Sequence, residues 1–346
     1  SSAASDVYKR QELLIDHYNK EVKKANGRSW SNYSASSDPK YINWSRGMKS
    51  NLSKAKLFSF KKSKMVKTLY RPFTKKWMYY DKQVVEMPGL FHRKFGAKNT
   101  ALITSGRGTT KEFTILATDL IPNLDCLTKT QAFIRHDNEK NSSVENILAT
   151  DCDNVSTTFA TKLGLTTDET YAYVYGLLNS PEYQQKYAND LKKDLARIPI
   201  VKDIRQYVEV GQQLLDLHIN YEDANPYAGC KIIEHADKPS YRVQKMRFKS
   251  RNDHSVIKFN SDITISDIPI RAYDYVVNGR SAIEWIMDQY QVKTDKASQI
   301  TDDPNDYSDD QQYIFKLLLR IITVSLKTLD LVDKLPKFEI IERDDR

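Results

Sequence analysis

The sequence predicts an α+β protein with a mixed, strand-containing lobe, helices packed about that lobe, and a long C-terminal helix. Two regions, about 68–136 and 230–265, hold short apolar runs separated by turn residues, which is typical of strands. Apolar residues recur at helical spacing over 154–220 and 271–334. The chain has 346 residues, 40% hydrophobic and 28% charged. It is therefore long enough for about two domains and too apolar to be disordered throughout.

Changes of composition divide the chain into three parts. Residues 1–39 are predicted to be an N-terminal segment and linker, because helical spacing over 12–25 gives way to a run rich in Gly, Ser and Asn. Residues 40–220 hold a basic segment, a sheet and helices, and residues 221–346 hold basic strands and a C-terminal helical part. Residues 1–11 resemble neither a signal peptide nor part of a packed element. We interpret them as candidate non-native sequence at the start of a truncated gene product.

Local signals place the individual elements. Strands are expected at four short runs: 84–85, 100–104, 113–117 and 132–135. Capping boxes at Thr166-x-x-Glu169 and Ser281-x-x-Glu284 predict two helix starts. A third is expected at Ser180-Pro181, where a cap precedes a first-turn proline.

Two further helices are expected in the second half of the chain. An apolar stripe from Ile204 to His218 predicts an amphipathic helix, and we interpret His218 as a hydrogen-bonded core residue rather than a ligand. A long helix from about 311 to 334 should end before Pro336.

Missing motifs argue against several functions. There is no GxxxxGK[ST] phosphate loop, and Gly106-Arg107-Gly108 alone is weak evidence for a dinucleotide site. Since no two prolines are adjacent, Asp303-Pro304 is interpreted as a solvated turn rather than an adenine-binding methyltransferase strip. The histidines lack HExxH spacing, and three distant cysteines fit neither a disulfide framework nor a zinc site. We therefore expect no catalytic or metal site, no membrane span and a cytoplasmic location.

Charge is the main positive signal. The formal net charge is +8, and residues 46–76 contain eleven basic residues and no acid. A second basic stretch, 242–258, alternates with apolar positions over 242–249, which predicts a strand with one buried face. Both stretches predict a polyanionic partner. Aromatic residues interleave the first stretch, and we interpret them as core rather than as base-stacking surfaces.

Four segments resemble one protein family. They are RPFTKKWMYYD (71–81), LLNSPEYQQKYANDLKKDLARIP (177–199), YVVNGRSAIEWIMDQYQVKTDKASQITDDPND (275–306) and LLRIITVSLKTLDLVDKLP (318–336). Together they resemble the C-terminal specificity region of type ISP restriction-modification enzymes, also described as predicted helicases. The resemblance covers roughly residues 40–336, and it leads us to expect structural roles for Arg71, paired to an acid, and for Trp77 and Trp285.

The resemblance implies that separate domains of the parent protein carry out recognition and catalysis. In that family a nuclease, a RecA-type motor, a helical coupler and an adenine-N6 methyltransferase precede the target-recognition domain. This chain would then be the recognition lobe, with no enzymatic activity and no cofactor of its own. The parent protein would use ATP, Mg and S-adenosylmethionine. The expected partners are double-stranded DNA and the upstream methyltransferase and coupler.

Candidate DNA contacts follow from charge. Four lysines of the first basic stretch are the candidates for phosphate contact: Lys61, Lys62, Lys64 and Lys67. For base contacts we select four cations, two from the polar loop 105–111 and two from the second basic stretch: Arg107, Lys111, Arg247 and Arg251.

Three other functions are consistent with the same sequence features. An RNA-binding module would need exposed aromatics on a sheet and would accept single strands. A structural domain would instead dock its basic segment on an acidic surface of the missing methyltransferase or coupler. A residual methyltransferase lobe would bind S-adenosylmethionine.

Overall fold

A computed structural model describes residues 2–86, 91, 95, 99–137 and 153–341, with backbone alone for residues 2–7. It confirms the α+β class. The described helices are α1 (Ser2–Ala25), α2 (Arg46–Ser53), α3 (Thr157–Leu163), α4 (Thr167–Leu178), α5 (Pro181–Lys186), α6 (Ile204–Ile219), α7 (Ala282–Gln289) and α8 (Tyr313–Val332).

Short strands form several small sheets. The strands are β1 (Met65–Arg71), β2 (Thr74–Tyr79), β3 (Ala101–Thr104), β4 (Ile115–Thr118), β5 (Ile121–Pro122), β6 (Gln131–Ile134), β7 (Lys231–Glu234), β8 (Arg247–Ser250), β9 (Asp253–Lys258), β10 (Ile263–Ser266), β11 (Val276–Val277), β12 (Arg280–Ser281), β13 (Lys293–Thr294) and β14 (Thr301–Asp302). Their orders are β2-β1-β5, β4-β3-β6 and β7-β10-β9-β8, with two separate hairpins, β11-β12 and β13-β14. The described pairs are antiparallel except β1 with β5.

The N-terminal module, residues 2–86, has a hydrophobic core of its own. Tyr18 of α1 stacks on Phe58 with ring centroids 4.2 Å apart, and Met48 and Leu52 of α2 are buried beside them. The first helix begins at Ser2, ten residues before the predicted start. Tyr8 lies seven residues before Ile15 and packs against the same core. Part of the segment 1–11, which we expected to lie outside any packed element, therefore belongs to a packed helix.

Two β predictions need correction. Val84 and Val85 are in a turn, because both backbone N–H groups donate to the carbonyl of Asp81 at 2.9 Å. In the second basic stretch the strand starts only at Arg247. Asn305 holds the preceding residues by accepting from the N–H of Val243 and donating to its carbonyl, each at 2.8 Å. The Asp303-Pro304 turn is therefore a structural anchor. The other three predicted strands are present as β3, β4 and β6.

Helices α4 and α6 form the centre of a second core, and their close approach depends on two glycines. A Cβ on Gly211 would lie 1.9 Å from the carbonyl of Ala172, and one on Gly176 would lie 2.3 Å from that of Tyr207. Any larger residue would force the helices apart. The capping boxes of α4 and α7 and the capped Pro181 start of α5 are confirmed.

His218 of α6 is a buried core residue, as predicted. Its Nε2 lies 2.8 Å from Thr328 Oγ1, and the Thr328 hydroxyl donates to the carbonyl of Val324. Nε2 therefore carries the ring proton, which leaves Nδ1 to accept from the Tyr175 hydroxyl at 2.6 Å. Burial lowers the pKa of His218 to about 3. The ring also stacks on Tyr275, just before the β11-β12 hairpin.

Candidate nucleic-acid interface

The acid-free segment 46–76 is partly neutralised by distant acids. Lys75 pairs with Glu222 at 3.1 Å and Lys76 with Asp302 at 2.6 Å. Burial raises the pKa of the Asp302 carboxyl, but the hydrogen bond and charge of Lys76 outweigh it, so this pKa lies below its usual value. Arg46 pairs with Glu86. Lys75 and Lys76 thus join distant parts of the fold and are already paired, whereas the Arg46 side chain is 81% exposed in a surface pair.

The lysines in the connection between α2 and β1 differ from the acid-paired cations. It carries five exposed lysines, which we call the basic face: Lys54, Lys56, Lys61, Lys62 and Lys64. Among the residues that the structure describes, none of the five forms an ion pair. Lys62 lies over the ring of Tyr8, 4.8 Å from its centroid. Three of the four predicted phosphate contacts therefore lie together.

Side chains of the N-terminal module hold the backbone of this connection in place. Asn19 accepts from the N–H of Phe58 at 2.9 Å and donates to its carbonyl at 2.8 Å. The Tyr18 hydroxyl donates to the carbonyl of Lys56, and the Tyr79 hydroxyl accepts from the N–H of Lys61. The lysines of the basic face thus extend from a fixed backbone, which keeps their positive charge concentrated.

Lys67, the fourth predicted phosphate contact, is separate from the basic face. It lies opposite Trp77 in the β1-β2 pair, with its ammonium 5.6 Å from the ring centroid. It lines a cavity of about 170 Å³ that also contains Glu222 and Asp302. Its surroundings therefore include both signs of charge.

Charge is distributed unevenly along the whole chain. Residues 1–86 contain 19 Lys and Arg against 7 Asp and Glu, so their net charge is +12. Residues 87–346 contain 34 against 38, for a net charge of −4. The excess positive charge thus belongs entirely to the N-terminal part.

The aromatic residues of the basic segment belong to the fold, as interpreted. Phe58, Phe73 and Tyr79 are buried. Tyr70 and Trp77 are partly covered by neighbouring cations, with Arg71 4.3 Å from the Tyr70 centroid. Arg71 donates to Asn123 Oδ1 at 3.2 Å, and among the described residues no acid pairs with it. The described residues thus give Arg71 an amide oxygen as its side-chain partner, and the expected acidic partner stays a prediction.

The loop 105–111, between β3 and β4, is tied to neighbouring loops. The N–H of Gly106 donates to the carbonyl of Thr128 at 3.0 Å, and Lys129 Nζ donates to the carbonyl of Gly108 at 2.9 Å. A Cβ on Gly106 would lie only 2.0 Å from the carbonyl oxygen of Lys129. Arg107 sits between these anchors, exposed and without an ion pair among the described residues.

Lys111, the other candidate base contact of this loop, is already hydrogen-bonded within the fold. Its Nζ donates to the backbone carbonyl of Asn278 at 2.9 Å. Asn278 and Gly279 form the turn of the β11-β12 hairpin. We define the loop cluster as residues 105–111, 128–129 and 278–279. The motif analysis missed Asn278, although an Asn-Gly pair directly after the apolar run 275–277 is a hairpin signal.

Arg247 and Arg251 lie on the β8-β9 hairpin, on the strand and in its turn. Both are exposed. Arg247 stands directly opposite Lys258 in the register of the pair. Like charges in that arrangement destabilise a sheet. The hairpin therefore presents a second cationic surface.

Cofactor-binding features are sparse in the described parts of the chain. They contain no group of three or more side chains suited to a metal ion, and none of their helices is long and apolar enough to cross a membrane. Cys126 and Cys230 are free, and burial raises the pKa of their thiols to about 12 and about 11. Cys152 lies outside the described residues. Trp285 donates to the carbonyl of Val277 at 2.7 Å, which confirms its structural role.

The fold and its exposed cations define a class of protein: an α+β domain whose surface suits a polyanionic partner. The chain belongs to the family of Type ISP C-terminal specificity domains, whose model matches residues 1–317. This confirms the resemblance noted in the sequence. No curated protein matches the chain.

Three solved structures, two of them Type ISP enzymes, share this fold. A nuclease-deletion mutant of the Type ISP restriction-modification enzyme LlaGI, in complex with a DNA substrate mimic, matches 98% of this chain with a TM-score of 0.87 and 37% identity. The ATP-dependent Type ISP enzyme LlaBIII bound to DNA matches 97% with a TM-score of 0.87 and 35% identity. The DrdV-DNA complex matches 97% with a TM-score of 0.81 and 26% identity. The chain spans 32%, 22% and 34% of these proteins.

Proposed function

We propose that this chain is the DNA-recognition domain of a Type ISP restriction-modification enzyme and binds double-stranded DNA. The main support is the N-terminal module, whose +12 net charge includes five exposed lysines on one short connection. Such an unneutralised patch attracts phosphates through electrostatics and counterion release. Membership of the specificity-domain family and the DNA-bound state of its structural neighbours support the same partner.

The surfaces have different roles in this proposal. Lysines of the basic face contact phosphates and set the register of the domain on the duplex. Arg107 and Arg251 contact base edges, because a guanidinium pairs bidentately with guanine in the major groove. The opposed Arg247 and Lys258 favour an anion beside the β8-β9 hairpin, since a phosphate would relieve their repulsion. Lys67 is a weaker candidate because acids share its cavity.

We also infer that the chain has no catalytic centre or cofactor of its own. The parent protein would supply ATP, Mg and S-adenosylmethionine chemistry through its methyltransferase and motor, and the recognition domain would contact the methyltransferase and coupler. A cytoplasmic location fits this role. The chain should show no detectable binding of S-adenosylmethionine by calorimetry, and measurable binding would contradict this inference.

Fluorescence anisotropy with a labelled random-sequence duplex, measured across salt concentrations, tests DNA binding. Five lysines on phosphates predict a slope of log affinity against log salt of about −4.5. No binding at low salt would contradict the proposal and would favour docking of the basic face on an acidic surface of the parent enzyme. Point substitutions are better here than deletion of residues 46–67, because the deletion removes the buried Met48, Leu52 and Phe58.

Competition separates DNA from RNA. Unlabelled duplex DNA should displace the probe about tenfold better than single-stranded RNA of equal length, because the described aromatics of the basic segment are packed in the fold rather than displayed for stacking. Stronger competition by the RNA would favour an RNA-binding module instead.

A further inference from the structure

We propose that Asn278 is a positioning residue for base recognition: it holds the Arg107 loop in the geometry that discriminates one DNA sequence from another. This inference rests on the proposed function and deepens it, because it assigns the source of specificity to one contact network. Asn278 itself contacts no base in this proposal. It acts through the loop cluster.

The first residue of the hairpin turn, Asn278, is unusual in being buried, whereas Gly279 beside it is exposed. Asn278 and Gly279 have φ of 52° and 83°, the left-handed conformation that a two-residue turn between short antiparallel strands requires. Such turns ordinarily point into solvent, yet only 5% of Asn278 is exposed. The Asn278 side of the turn therefore packs against neighbouring loops.

Asn278 bonds to two other segments through backbone and side chain. Its N–H donates to Thr114 Oγ1 at 3.0 Å, and its carbonyl accepts from Lys111 Nζ at 2.9 Å. Its side-chain Oδ1 accepts from the N–H of Thr128 at 3.2 Å and from the Thr128 hydroxyl at 2.9 Å. One residue thus joins the β3-β4 loop to the loop before β6.

The same network fixes the tip of the β3-β4 loop. Thr128 accepts from Gly106 N–H, and Lys129 Nζ donates to the carbonyl of Gly108. Arg107 therefore lies between two bonded glycines, with its own side chain exposed. Gly108 and Lys129 also have positive φ, 74° and 55°. A non-glycine residue keeps such a conformation only where its surroundings hold it.

Rigid placement affects specificity more than affinity. Phosphate contacts supply attraction whatever the sequence, whereas a bidentate base contact needs its guanidinium held to about 0.5 Å. Loosening the loop should therefore lower the preference for a selected sequence and leave binding to random DNA almost unchanged.

The chain contains a matched control. Asn26 and Gly27 form a second Asn-Gly pair with φ of 49° and 78°, at the end of α1. Both residues are exposed, and Asn26 has no side-chain hydrogen bond among the described residues. Asn26→Gly therefore makes the same backbone change as Asn278→Gly without removing a buried acceptor.

The test selects preferred duplexes from a randomised library with the wild-type chain, then measures the ratio of affinities for the selected and the random duplex. We expect Asn278→Gly to lower this ratio about tenfold while random-duplex affinity stays within about twofold. Asn26→Gly should leave the ratio unchanged. Asn278→Asp should restore most of it, because an aspartate oxygen accepts the same Thr128 bonds and tolerates the left-handed turn.

Several results would overturn the inference. An unchanged ratio for Asn278→Gly overturns the inference, and so does an Asn278→Asp variant as defective as the glycine variant. If thermal melting shows that Asn278→Gly is unfolded, Thr128→Val replaces it: loss of this hydroxyl should lower the ratio about threefold, and no change overturns the inference. A wild-type chain that binds random duplex but selects no sequence also overturns it, whereas one that binds no duplex overturns the proposed function.

Discussion

The N-terminal module and the loop cluster present cations in opposite ways. In the module, lysines are numerous, exposed and, on the basic face, unpaired among the described residues. In the loop cluster the cations are few, and Lys111 and Lys129 bond to backbone carbonyls of neighbouring loops. Attraction to a polyanion needs only excess charge, whereas discrimination between sequences needs fixed geometry. In our proposal the basic face therefore supplies attraction and the loop cluster supplies discrimination.

The regions also depend on different cores. The basic face is anchored on the core of α1 and α2. The loop cluster rests on a third core, formed by β9, β10, α7 and α8, in which Val277 of the β11-β12 hairpin is buried. Tyr275, just before this hairpin, belongs to the same core and stacks on His218. A change in one core should therefore affect one task more than the other.

The largest effect is expected from the basic face. Replacing Lys61, Lys62 and Lys64 together by Gln should weaken binding to random duplex about 100-fold near 0.1 M salt and reduce the salt slope by about 2.7, because three phosphate contacts are lost. Anisotropy titrations measure both. The matched control is Lys75→Gln with Lys76→Gln, in the same acid-free segment but paired with acids, and it should change affinity less than about twofold. Equal losses of affinity in the two variants would contradict the distinction between the unpaired lysines of the basic face and the paired Lys75 and Lys76.

Acid should destabilise the folded protein through His218. The folded protein keeps this ring neutral, with a pKa of about 3, whereas the unfolded chain takes up the proton near the ordinary histidine pKa of 6.5. The unfolded state thus binds more protons between these values, and stability falls as pH drops through this window, by at most about 1.4 kcal/mol per pH unit.

Urea unfolding of the wild type and His218→Gln between about pH 6 and about pH 4 measures that contribution. The variant should lose the part of the pH dependence that comes from His218, because Gln does not titrate. Carboxylates affect both proteins alike and cancel in the difference. Identical pH dependence in the two proteins would contradict a neutral His218 in the core.

Arg107→Ala tests the loop cluster directly. We expect the preference for the selected duplex to fall about tenfold at one base pair, with little change in random-duplex affinity, because one bidentate base contact is lost. Parallel titrations of the selected duplex and its single-base variants measure this. A uniform loss across all sequences would instead make Arg107 a phosphate contact.

The smallest expected effect belongs to Lys111→Met, which keeps an apolar stem and removes the ammonium. If Lys111 only holds the carbonyl of Asn278, the salt slope stays unchanged and the preference falls about threefold. A slope that drops by about 0.9 would mean that Lys111 neutralises a phosphate.

Local sequence patterns predicted many elements correctly. Thr166-x-x-Glu169 and Ser281-x-x-Glu284 were found because a capping box involves residues three positions apart. The core role of His218 followed from its position on an apolar stripe. The strand predicted at 84–85 was wrong because β-branched residues alone do not outweigh the turn at Asp81. The candidate base contacts Arg107, Arg247 and Arg251 stay predictions.

Composition and local patterns predict the α+β class, the family and the concentration of charge near the N-terminus, because each depends on residues close together in the chain. Which cations are available depends instead on how the chain folds. Lys75 meets Glu222 across 147 positions, and Lys76 meets Asp302 across 226. The buried side chain of Asn278 likewise accepts a hydrogen bond from Thr128, 150 positions away. Such contacts depend on how distant segments pack, and no local pattern encodes them.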